Sequence, residues 1–454
     1  LTVKPFTTND FGNKNETKFS LFLESPGSLY IPRFFGQDKF GSASKTKLEE
    51  GDDINIFFNG SLRKEQEPIV DLYMKAASEK GGGLISLKCG GGKTVLSLWI
   101  ISLLKKKTIV VIHKDFLMTQ WRDRITQFLP NARIGKIQQN TIDIENKDIV
   151  LAMVQSLSQK EYDPSVFSSF GLAVFDECHH LGAEVFSKSM AKVASKYMLG
   201  LSATPDRKDG LRKVFEWFIG PMVYSSKKDV NKDFIETRIY EYTNESDTVY
   251  NKLELGFNKK PCMPRMINNI SDCIHRNNFI NEIVKTEYET GRKILILGDR
   301  REYLNRTEKW IKDNIDPNVV GQYVGGMKPS ELRDSQEKDI ILGTYSMASE
   351  GMDIPKLNTI FLASPKSDVV QSVGRILREK ADVRKFHPLV IDFLDIHPNL
   401  GVFSKQCDKR IAFYKKNNHE IHIYKMDGTK TKLEKRKSRK KKEIHEINIC
   451  LIED

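Results

Sequence analysis

Three glycines followed by a lysine and a threonine are the first residues of this chain whose types and spacing could do chemistry. They are Gly90, Gly91, Gly92, Lys93 and Thr94, and they stand between an apolar run typical of a strand and another typical of a helix. A strand-to-helix turn of this kind directs backbone N–H groups and a helix N-terminus at one point, which favours a polyphosphate. The lysine would bind the terminal phosphates, and the threonine hydroxyl would be a magnesium ligand. A flexible turn without a ligand is the alternative.

Two carboxylates, Asp176 and Glu177, form the second candidate group. They directly follow the apolar run Leu172–Phe175. They would therefore lie at the carboxyl end of a strand, where open α/β sheets bind nucleotides. At such a position Asp176 would hold magnesium through water, and Glu177 would polarise the water that attacks the terminal phosphate. An ordinary turn with a capping aspartate is the alternative, and the phosphate loop upstream weighs against it.

Gln371, Arg375 and Arg378 form the third candidate group. Residues three and four apart share one face of a helix, so these side chains would project together. Two guanidiniums on that face would supply the positive charge that phosphoryl transfer requires and that the first two groups lack. A helix whose arginines face solvent is the alternative.

Short apolar strands that alternate with helical segments would position these three groups. Such alternation predicts parallel sheets covered by helices on both faces. The expected strands are Leu84–Leu87, Thr108–Ile112, Ile149–Met153, Leu172–Phe175 and Tyr197–Leu201, then Lys293–Leu297, Val319–Val324, Ile340–Thr344, Thr359–Ala363 and Leu389–Phe393. The predicted division is a small β-rich N-terminal appendage over residues 1–55, an α/β domain over 56–225, a connector over 226–288, a second α/β domain over 289–400 and a C-terminal extension over 401–454.

The composition is typical of a soluble globular protein with several domains. Of its 454 residues, 39% are hydrophobic and 29% are charged. No stretch approaches the roughly 18 consecutive apolar residues of a membrane span, and no secretory segment opens the chain at Leu1. Its six cysteines form no C-x-x-C pair, so we expect a reducing compartment and no structural zinc. The net charge of +12 favours polyanionic partners.

A basic tail ends the chain. Residues 425–443 hold ten Lys or Arg residues and three Asp or Glu residues. Blocks of like charge repel themselves and stay disordered unless they meet a polyanion. Contact with nucleic acid is one interpretation of this tail, and a solvated segment or localisation signal is the other.

Taken together, the motifs resemble those of superfamily 2 helicases and translocases over residues 60–395. Leu62-Arg63-x-x-Gln66 is similar to their adenine-recognition segment, and Gly90 to Thr94 fits the sparser phosphate-loop variant of these enzymes. The resemblance implies an α/β fold of two tandem RecA-like parallel-sheet domains, with ATP and Mg²⁺ in the cleft between them. Its implied ATP-binding residues are Arg63, Gln66, Cys89, Gly90, Gly91, Gly92, Lys93, Thr94, Gly351 and Asp353, and its implied metal ligands are Thr94 and Asp176.

Further motifs extend the resemblance to the remaining roles. Residues 110–114 with Gln120-Trp121 resemble motif Ia, 153–157 motif Ib, 202–204 motif III, 343–355 motif V and 371–378 motif VI. The implied catalytic residues are Glu177, Gln371, Arg375 and Arg378, and the implied coupling residues are His179, Ser202 and Thr204. Contacts to the nucleic-acid backbone are implied for His113, Lys114, Gln120, Trp121, Gln155, Ser156 and Thr344.

Within the superfamily, one branch is most similar. Residues 175–180, 199–210 and 374–378 resemble the xeroderma-pigmentosum-B-type DNA translocases and the related helicases of large DNA viruses, including the poxvirus transcript-release helicase. Arg207-Lys208-Asp209 departs from the Arg-Glu-Asp element of the B-type enzymes, which puts duplex opening by that element in doubt. DEAD-box RNA helicases fit less well, because Cys178 and Gln371 replace the alanine of their motif II and the histidine that begins their motif VI.

These observations favour an ATP-dependent DNA helicase or double-strand DNA translocase that works in transcription or repair. An RNA helicase with the same motor is the first alternative. An inactive nucleic-acid-binding scaffold is the second, and the intact Lys93, Asp176, Glu177, Arg375 and Arg378 argue against it. The expected partners are nucleic acid, with DNA favoured over RNA, and transcription or repair machinery, with no membrane. We expect a monomer inside the cell, in the nucleus, the virion or a viral replication site.

Overall fold

The N-terminal region lies against the first of two large sheets. The computed structural model describes residues 1–3, 19–87, 90–177, 183–203, 212–226, 234–257, 259–350, 352, 354, 356–379 and 383–433. The first elements are strands β1 (Thr2–Val3), β2 (Phe19–Ser20), β3 (Leu23–Ser25) and β4 (Ser28–Tyr30) and helix α1 (Arg33–Phe40). The strands pair antiparallel, β1 with β2 and β3 with β4. Among the described residues of the appendage, each strand has two or three residues and the longest element is helix α1.

Helix α1 anchors the appendage to the domain that follows. The Arg33 guanidinium donates hydrogen bonds to the backbone carbonyls of Gly81, Ser195 and Lys196, at 2.9, 3.1 and 3.1 Å. Burial lowers the pKa of Arg33 to about 10. Phe35 packs edge-on against Trp217 with ring centroids 5.4 Å apart. The appendage is thus packed onto domain 1 through polar and aromatic contacts.

Domain 1 is an eight-stranded sheet with helices on both faces. Its elements are α2 (Glu67–Lys80), β5 (Gly82–Ser86), α3 (Lys93–Leu104), β6 (Thr108–Ile112), α4 (Asp115–Phe128), β7 (Ile134–Gln138), β8 (Thr141–Asp143), β9 (Ile149–Met153), α5 (Val154–Gln159), α6 (Ser165–Ser168), β10 (Leu172–Phe175), α7 (Ala183–Lys192), β11 (Tyr197–Ser202), α8 (Arg212–Ile219) and β12 (Met222–Ser225). The strand order is β12-β5-β11-β10-β6-β9-β7-β8, and only β8 pairs antiparallel.

The sequence explains why the middle of this sheet was predictable. Strands β5, β6, β9 and β10 are buried along their whole length, because helices cover both faces and two hydrophobic clusters pack against them. All five strands predicted for domain 1 are present. Strands β7, β8 and β12 were not predicted, since they lie towards the sheet edges and carry intermediate or exposed residues.

Domain 2 is a second eight-stranded sheet. Its elements are β13 (Glu236–Tyr242), α9 (Met263–Asp272), α10 (Ile274–Glu289), β14 (Ile294–Gly298), α11 (Arg301–Asn314), β15 (Val320–Tyr323), α12 (Pro329–Glu337), β16 (Ile340–Thr344), α13 (Tyr345–Glu350), β17 (Thr359–Leu362), α14 (Val370–Val373), β18 (Leu389–Asp395), α15 (Gly401–Lys416), β19 (Glu420–Tyr424) and β20 (Lys430–Lys432), with 3₁₀ turns at Gly374–Leu377 and Pro398–Leu400. The order is β15-β16-β14-β17-β18-β13-β19-β20, and only β20 pairs antiparallel.

The second sheet corrects the domain boundaries predicted at 289 and 400. Strand β13 comes from the predicted connector, yet it lies inside the sheet between β18 and β19. Strand β19 and helix α15 come from the predicted C-terminal extension. Polar residues concealed β13 in the sequence, because Glu236 is buried in an ion pair with Arg238 at 2.7 Å. Domain 2 therefore draws its sheet from residues 236–432.

Two buried ion pairs fix helices on opposite faces of β18. Asp395 accepts from the Arg276 guanidinium of α10 at 2.6 and 3.0 Å, and Asp392 accepts from Arg410 of α15 at 2.8 and 2.9 Å. The hydroxyls of Tyr250 and Tyr414 donate one further hydrogen bond each, to Asp395 and Asp392 respectively. Every charge is met by several donors, which is the condition under which a buried pair is tolerated.

Candidate nucleotide-binding and catalytic site

The glycine loop has the conformation that a phosphate loop requires. Gly90 and Gly92 have φ values of +78° and +77°, in the left-handed region that favours glycine. Gly92 is also the residue that precedes helix α3, so the helix N-terminus begins at Lys93. A Cβ atom on Gly92 would lie 2.4 Å from Gln66 Nε2. Glycine is therefore needed at 92 for conformation and for space.

Gln66 joins the predicted adenine segment to the phosphate loop. Its side chain is buried, and Nε2 donates to the carbonyl of Gly91 at 3.1 Å. Its Oε1 accepts from the Arg63 backbone N–H at 3.0 Å. The two sequence segments, some 25 residues apart, thus form one local structure.

Glu177 contacts both neighbouring motifs of domain 1. One carboxylate oxygen forms an ion pair with Lys93 Nζ, and the other accepts from the Ala203 backbone N–H at 3.4 Å. The side chains of Lys93 and Glu177 are 13% and 17% exposed, so the pair is accessible without being open to bulk water. Glu177 has a φ of +47°, an uncommon conformation for a residue with a side chain. Such strain at a candidate catalytic residue is typical of functional sites.

Asp176, the residue before Glu177, is buried and hydrogen-bonded to Trp121. The Trp121 indole Nε1–H donates to Asp176 Oδ2 at 2.8 Å, and both side chains are buried. Burial raises the pKa of Asp176, and the charge of Glu177 adds to the rise, while Lys93 and the Trp121 hydrogen bond oppose it. The predicted contact between Trp121 and nucleic acid needs correction, since this side chain is 1% exposed and faces the acidic group.

The third candidate group belongs to domain 2. Helix α14 is a single turn that continues into the 3₁₀ turn Gly374–Leu377, instead of the longer helix predicted. Gln371 and Arg378 are half-buried. Arg375 is buried, and its Nη1 donates to the carbonyl of Met352 at 2.7 Å. Arg375 therefore links motif VI to motif V.

Several predicted nucleic-acid contacts lie at the carboxyl ends of strands. Gln155, which is exposed after β9, donates to the carbonyl of His113 after β6 at 2.7 Å. The structure thus joins motifs Ia and Ib. Lys114 and Gln120 are half-buried, whereas His113 is buried. These residues line the same sheet edge as the phosphate loop, because β5, β6 and β9 run parallel.

The remaining predicted contacts differ in accessibility. Ser156 is buried, and its hydroxyl accepts from the Gln139 backbone N–H at 2.9 Å. Thr344 is half-buried at the end of β16, with its hydroxyl 3.2 Å from that of Ser346. Ser202 is buried at the end of β11. Five other predicted site residues lie outside the described residues: Cys89, His179, Thr204, Gly351 and Asp353.

Sequence reasoning missed the contact of Trp121 with Asp176 and did not name Phe116 at all. The role of Trp121 beside Asp176 had no local sequence signal, because 55 residues separate the two. Phe116, on the same helix α4, packs against hydrophobic clusters of both domain 1 and domain 2. Its place two residues after Lys114 was the only available signal. Helix α4 therefore contacts the acidic pair and the second domain.

The donor set fits ATP and Mg²⁺. Magnesium prefers oxygen ligands and is usually bound by one or two carboxylates together with substrate phosphates. The Thr94 hydroxyl and Asp176 carboxylate supply such ligands, and the left-handed glycines together with the N-terminus of α3 supply a cradle for phosphate. Among the described residues, no cluster of three His, Cys, Asp or Glu side chains could hold a metal by itself. In the same part of the chain, no helix is long and apolar enough to cross a membrane.

Comparison with known proteins identifies the family of this chain. Residues 59–207 match the family model described as "Type III restriction enzyme, res subunit". A protein of Acanthamoeba polyphaga mimivirus, named as a candidate ATP-dependent RNA helicase, is 36% identical over 429 residues, which cover 93% of this chain and 82% of that protein. The DNA 3′-5′ translocase XPB2 of Sulfurisphaera tokodaii is 33% identical over 202 residues, or 42% of this chain and 43% of its own.

A solved structure shows the same fold. The fragment of an HsdR subunit of a type I restriction enzyme from Vibrio vulnificus has a TM-score of 0.54 and 17% identity, and the match covers 82% of this chain and 71% of that one. The chain belongs to the superfamily 2 helicases and translocases, whose members are nucleic-acid-dependent ATPases. The predicted family and the predicted pair of α/β domains are thereby confirmed.

Proposed function

We propose that this motor acts on DNA, as a helicase or a double-strand translocase in transcription or repair. The observation that carries the catalytic part is the position of Glu177 between Lys93 and the Ala203 amide. This arrangement ties the phosphate loop, the acidic pair and motif III into one contact network. Similarity over 202 residues to a protein named as a DNA translocase supports DNA as the substrate.

The proposed roles follow from the contacts. Lys93 and the loop N–H groups would bind phosphate. Thr94 and Asp176 would hold magnesium, which would supply positive charge for phosphoryl transfer. The Ala203 N–H fixes one oxygen of Glu177, so the other oxygen can orient a water and take its proton when Lys93 engages phosphate. Arg375 and Arg378 supply positive charge from domain 2. Gln371 lies about one turn before Arg375 and completes that group.

Helix α4 connects the proposed nucleic-acid contacts to the proposed ATP site. Its first turn follows His113 and Lys114, the proposed backbone contacts, and Phe116 touches domain 2. Farther along, Trp121 holds Asp176. If nucleic acid shifts this helix on binding, Trp121 would move relative to Asp176, the proposed magnesium ligand. Binding of nucleic acid would then be coupled to the ATP site.

RNA is the second candidate substrate. The mimivirus relative, which matches nearly the whole chain, is named for RNA. Contacts to backbone phosphates do not distinguish the two sugars, and recognition of the 2′-hydroxyl would decide between them. The proposed location is intracellular, at the site where a viral or cellular genome is transcribed or repaired.

ATP turnover tests the substrate. The purified chain is assayed with duplex DNA, single-stranded DNA and RNA in parallel, at one salt concentration because phosphate contacts are salt-dependent. We expect DNA to stimulate turnover by at least about tenfold, a difference of about 1.4 kcal/mol in the barrier. Stimulation by RNA alone would overturn the DNA proposal. If none of the three nucleic acids changes the rate of ATP turnover, an inactive or uncoupled scaffold is favoured instead.

A further inference from the structure

The loop between β17 and α14 is held by side chains that have no part in the site described above. This loop leads into α14, which carries Gln371 of motif VI. A buried carbonyl outside a strand or helix must find a hydrogen-bond donor elsewhere in the fold. The carbonyls of Ala363, Ser364 and Lys366 each accept from a buried side chain, and the three donors lie on three different helices.

Two of the donors are the arginines of the buried ion pairs on β18. Arg276 of α10 binds Asp395 through Nε and Nη2, and its Nη1 donates to the Ala363 carbonyl at 3.0 Å. Arg410 of α15 has the same geometry: Nε and Nη2 bind an aspartate of the same strand, and Nη1 donates to the Lys366 carbonyl at 2.6 Å. A guanidinium is planar, so a bidentate pair with a carboxylate fixes the direction of its remaining N–H groups. Both ion pairs therefore direct a donor at this loop.

The third donor comes from motif V. The hydroxyl of Tyr345, the first residue of α13, donates to the Ser364 carbonyl at 2.7 Å. The Tyr345 ring belongs to the same hydrophobic cluster as Val369, Val373 and Ile376, which lie in or directly before the motif VI segment. One side chain of motif V thus holds the loop and shares a core with motif VI.

The motif VI segment needs such support because it is short. Helix α14 has four residues and is followed by a single 3₁₀ turn. Helices of this length are not stable alone and take their position from tertiary contacts. The positions of Arg375 and Arg378 therefore depend on the loop before them, together with the hydrogen bond from Arg375 to the Met352 carbonyl.

We propose that Arg276, Tyr345 and Arg410 are positioning residues for ATP hydrolysis, which hold the loop over residues 363–366 so that the arginines of motif VI meet the phosphates in a fixed place. The proposal rests on the proposed function, because it takes those arginines to act on ATP. Charge that is fixed before the reaction needs no reorganisation during it, and a displacement of about 1 Å can lower a rate by about a hundredfold. Loss of a positioning bond therefore lowers kcat and leaves the binding of ATP to domain 1 nearly unchanged.

Tyr345→Phe tests the proposal with the smallest change, because phenylalanine keeps the ring and loses the donor to Ser364. We expect kcat for ATP to fall by about tenfold at saturating nucleic acid and KM for ATP to change by less than about twofold. Tyr73→Phe is the matched control, since Tyr73 is also buried and its hydroxyl donates to a backbone carbonyl, that of Met198 in domain 1, at 3.2 Å. Urea unfolding establishes that both variants are folded in the assay. An unchanged kcat in Tyr345→Phe would overturn the proposal, and so would an equal loss in Tyr73→Phe.

A second background shows whether Tyr345 acts through motif VI. Mutations whose effects pass through one group are not additive. In a chain that already carries Arg375→Gln and Arg378→Gln, we therefore expect Tyr345→Phe to lower the residual kcat by less than about twofold. The residual turnover is followed with radiolabelled ATP. A full tenfold loss in that background would overturn the proposal, because Tyr345 would then act independently of the arginines.

Hydrogen exchange separates failure of this proposal from failure of the proposed function. The backbone amides of residues 363–377 are followed in the unmodified chain and in the two tyrosine variants, and we expect Tyr345→Phe alone to speed their exchange by at least about threefold. Faster exchange together with a normal kcat in Arg375→Gln and Arg378→Gln supports the hold on the loop and overturns the proposed role of the arginines. Unchanged exchange in Tyr345→Phe, where the arginine substitutions do abolish turnover, overturns the positioning role and leaves the motor intact.

Discussion

Domains 1 and 2 both bury carboxylates at or near the carboxyl end of a parallel strand, but they surround them differently. In domain 2, Asp392 and Asp395 each face a guanidinium that is equally buried, and a tyrosine hydroxyl completes the set. In domain 1, Asp176 has a neutral indole donor and a second carboxylate beside it. The first arrangement neutralises charge permanently, whereas the second leaves negative charge for a ligand to neutralise.

This difference distinguishes carboxylates that stabilise the fold from carboxylates that could bind a ligand. Burial and the adjacent charge of Glu177 raise the pKa of Asp176, so a cation that enters the site stabilises the ionised form. Lys93 provides positive charge beside these two carboxylates, and its side chain is accessible to another anion. The buried pairs of domain 2 offer no comparable exchange of partners, because Arg276 and Arg410 are themselves enclosed.

The largest effect should follow loss of the charge at Glu177. Glu177→Gln keeps the shape of the side chain but removes the proton acceptor, so we expect ATP turnover to fall by about 10³-fold while nucleotide binding persists. Turnover and nucleotide binding are measured on the same preparation. Glu79→Gln, on the exposed end of α2, is the matched control. Turnover that survives in Glu177→Gln would remove the chemical distinction between the two domains.

The next largest effect should be on stability, in domain 2. Asp395→Asn leaves the buried Arg276 without its counter-charge, and breaking such a pair costs about 3–5 kcal/mol. Urea unfolding, together with hydrogen exchange of β18, measures the loss. The exposed pair Lys75–Glu79 supplies the control, since Glu79→Gln should change stability by less than about 1 kcal/mol. If Asp395→Asn lowers turnover in folded protein without lowering stability, that carboxylate is not merely structural.

The sequence predicted these two domains unequally. Strands buried on both faces, such as Thr108–Ile112, appear as continuous apolar runs and were found. Glu236–Tyr242 was not, although it lies within the second sheet, because it carries charged residues that the fold pairs, Arg238 with Glu287 and Glu236 with His387. Periodicity detects an apolar interior, and it does not detect a charge whose partner is distant in the chain.

Prediction of the site residues from the sequence has the same limit. The sequence located Lys93 and the glycines because local backbone conformation forms the phosphate loop. It located Glu177, which pairs with Lys93, because that residue follows the apolar strand β10. Arg375, in contrast, is anchored by the Met352 carbonyl, and Trp121 is anchored by Asp176, each through contacts across the fold. A resemblance assigned Trp121 to nucleic acid because it follows Gln120 in the chain. The fold turns its ring inward, which only packing could reveal.

Trp121→Phe should give the smallest of these effects and tests the link directly. Phenylalanine retains most of the ring packing but cannot donate to Asp176, and removal of one partner from a buried hydrogen bond costs about 1–3 kcal/mol. We expect about tenfold lower ATP turnover, a higher magnesium concentration for half-maximal activity and weaker stimulation by nucleic acid. Trp217→Phe, which alters a ring contact with Phe35 and packing against Leu21, both in the appendage, is the control. An unchanged magnesium requirement with unchanged stimulation would show that the indole fills space, and the neutral donor would then cease to distinguish domain 1 from domain 2.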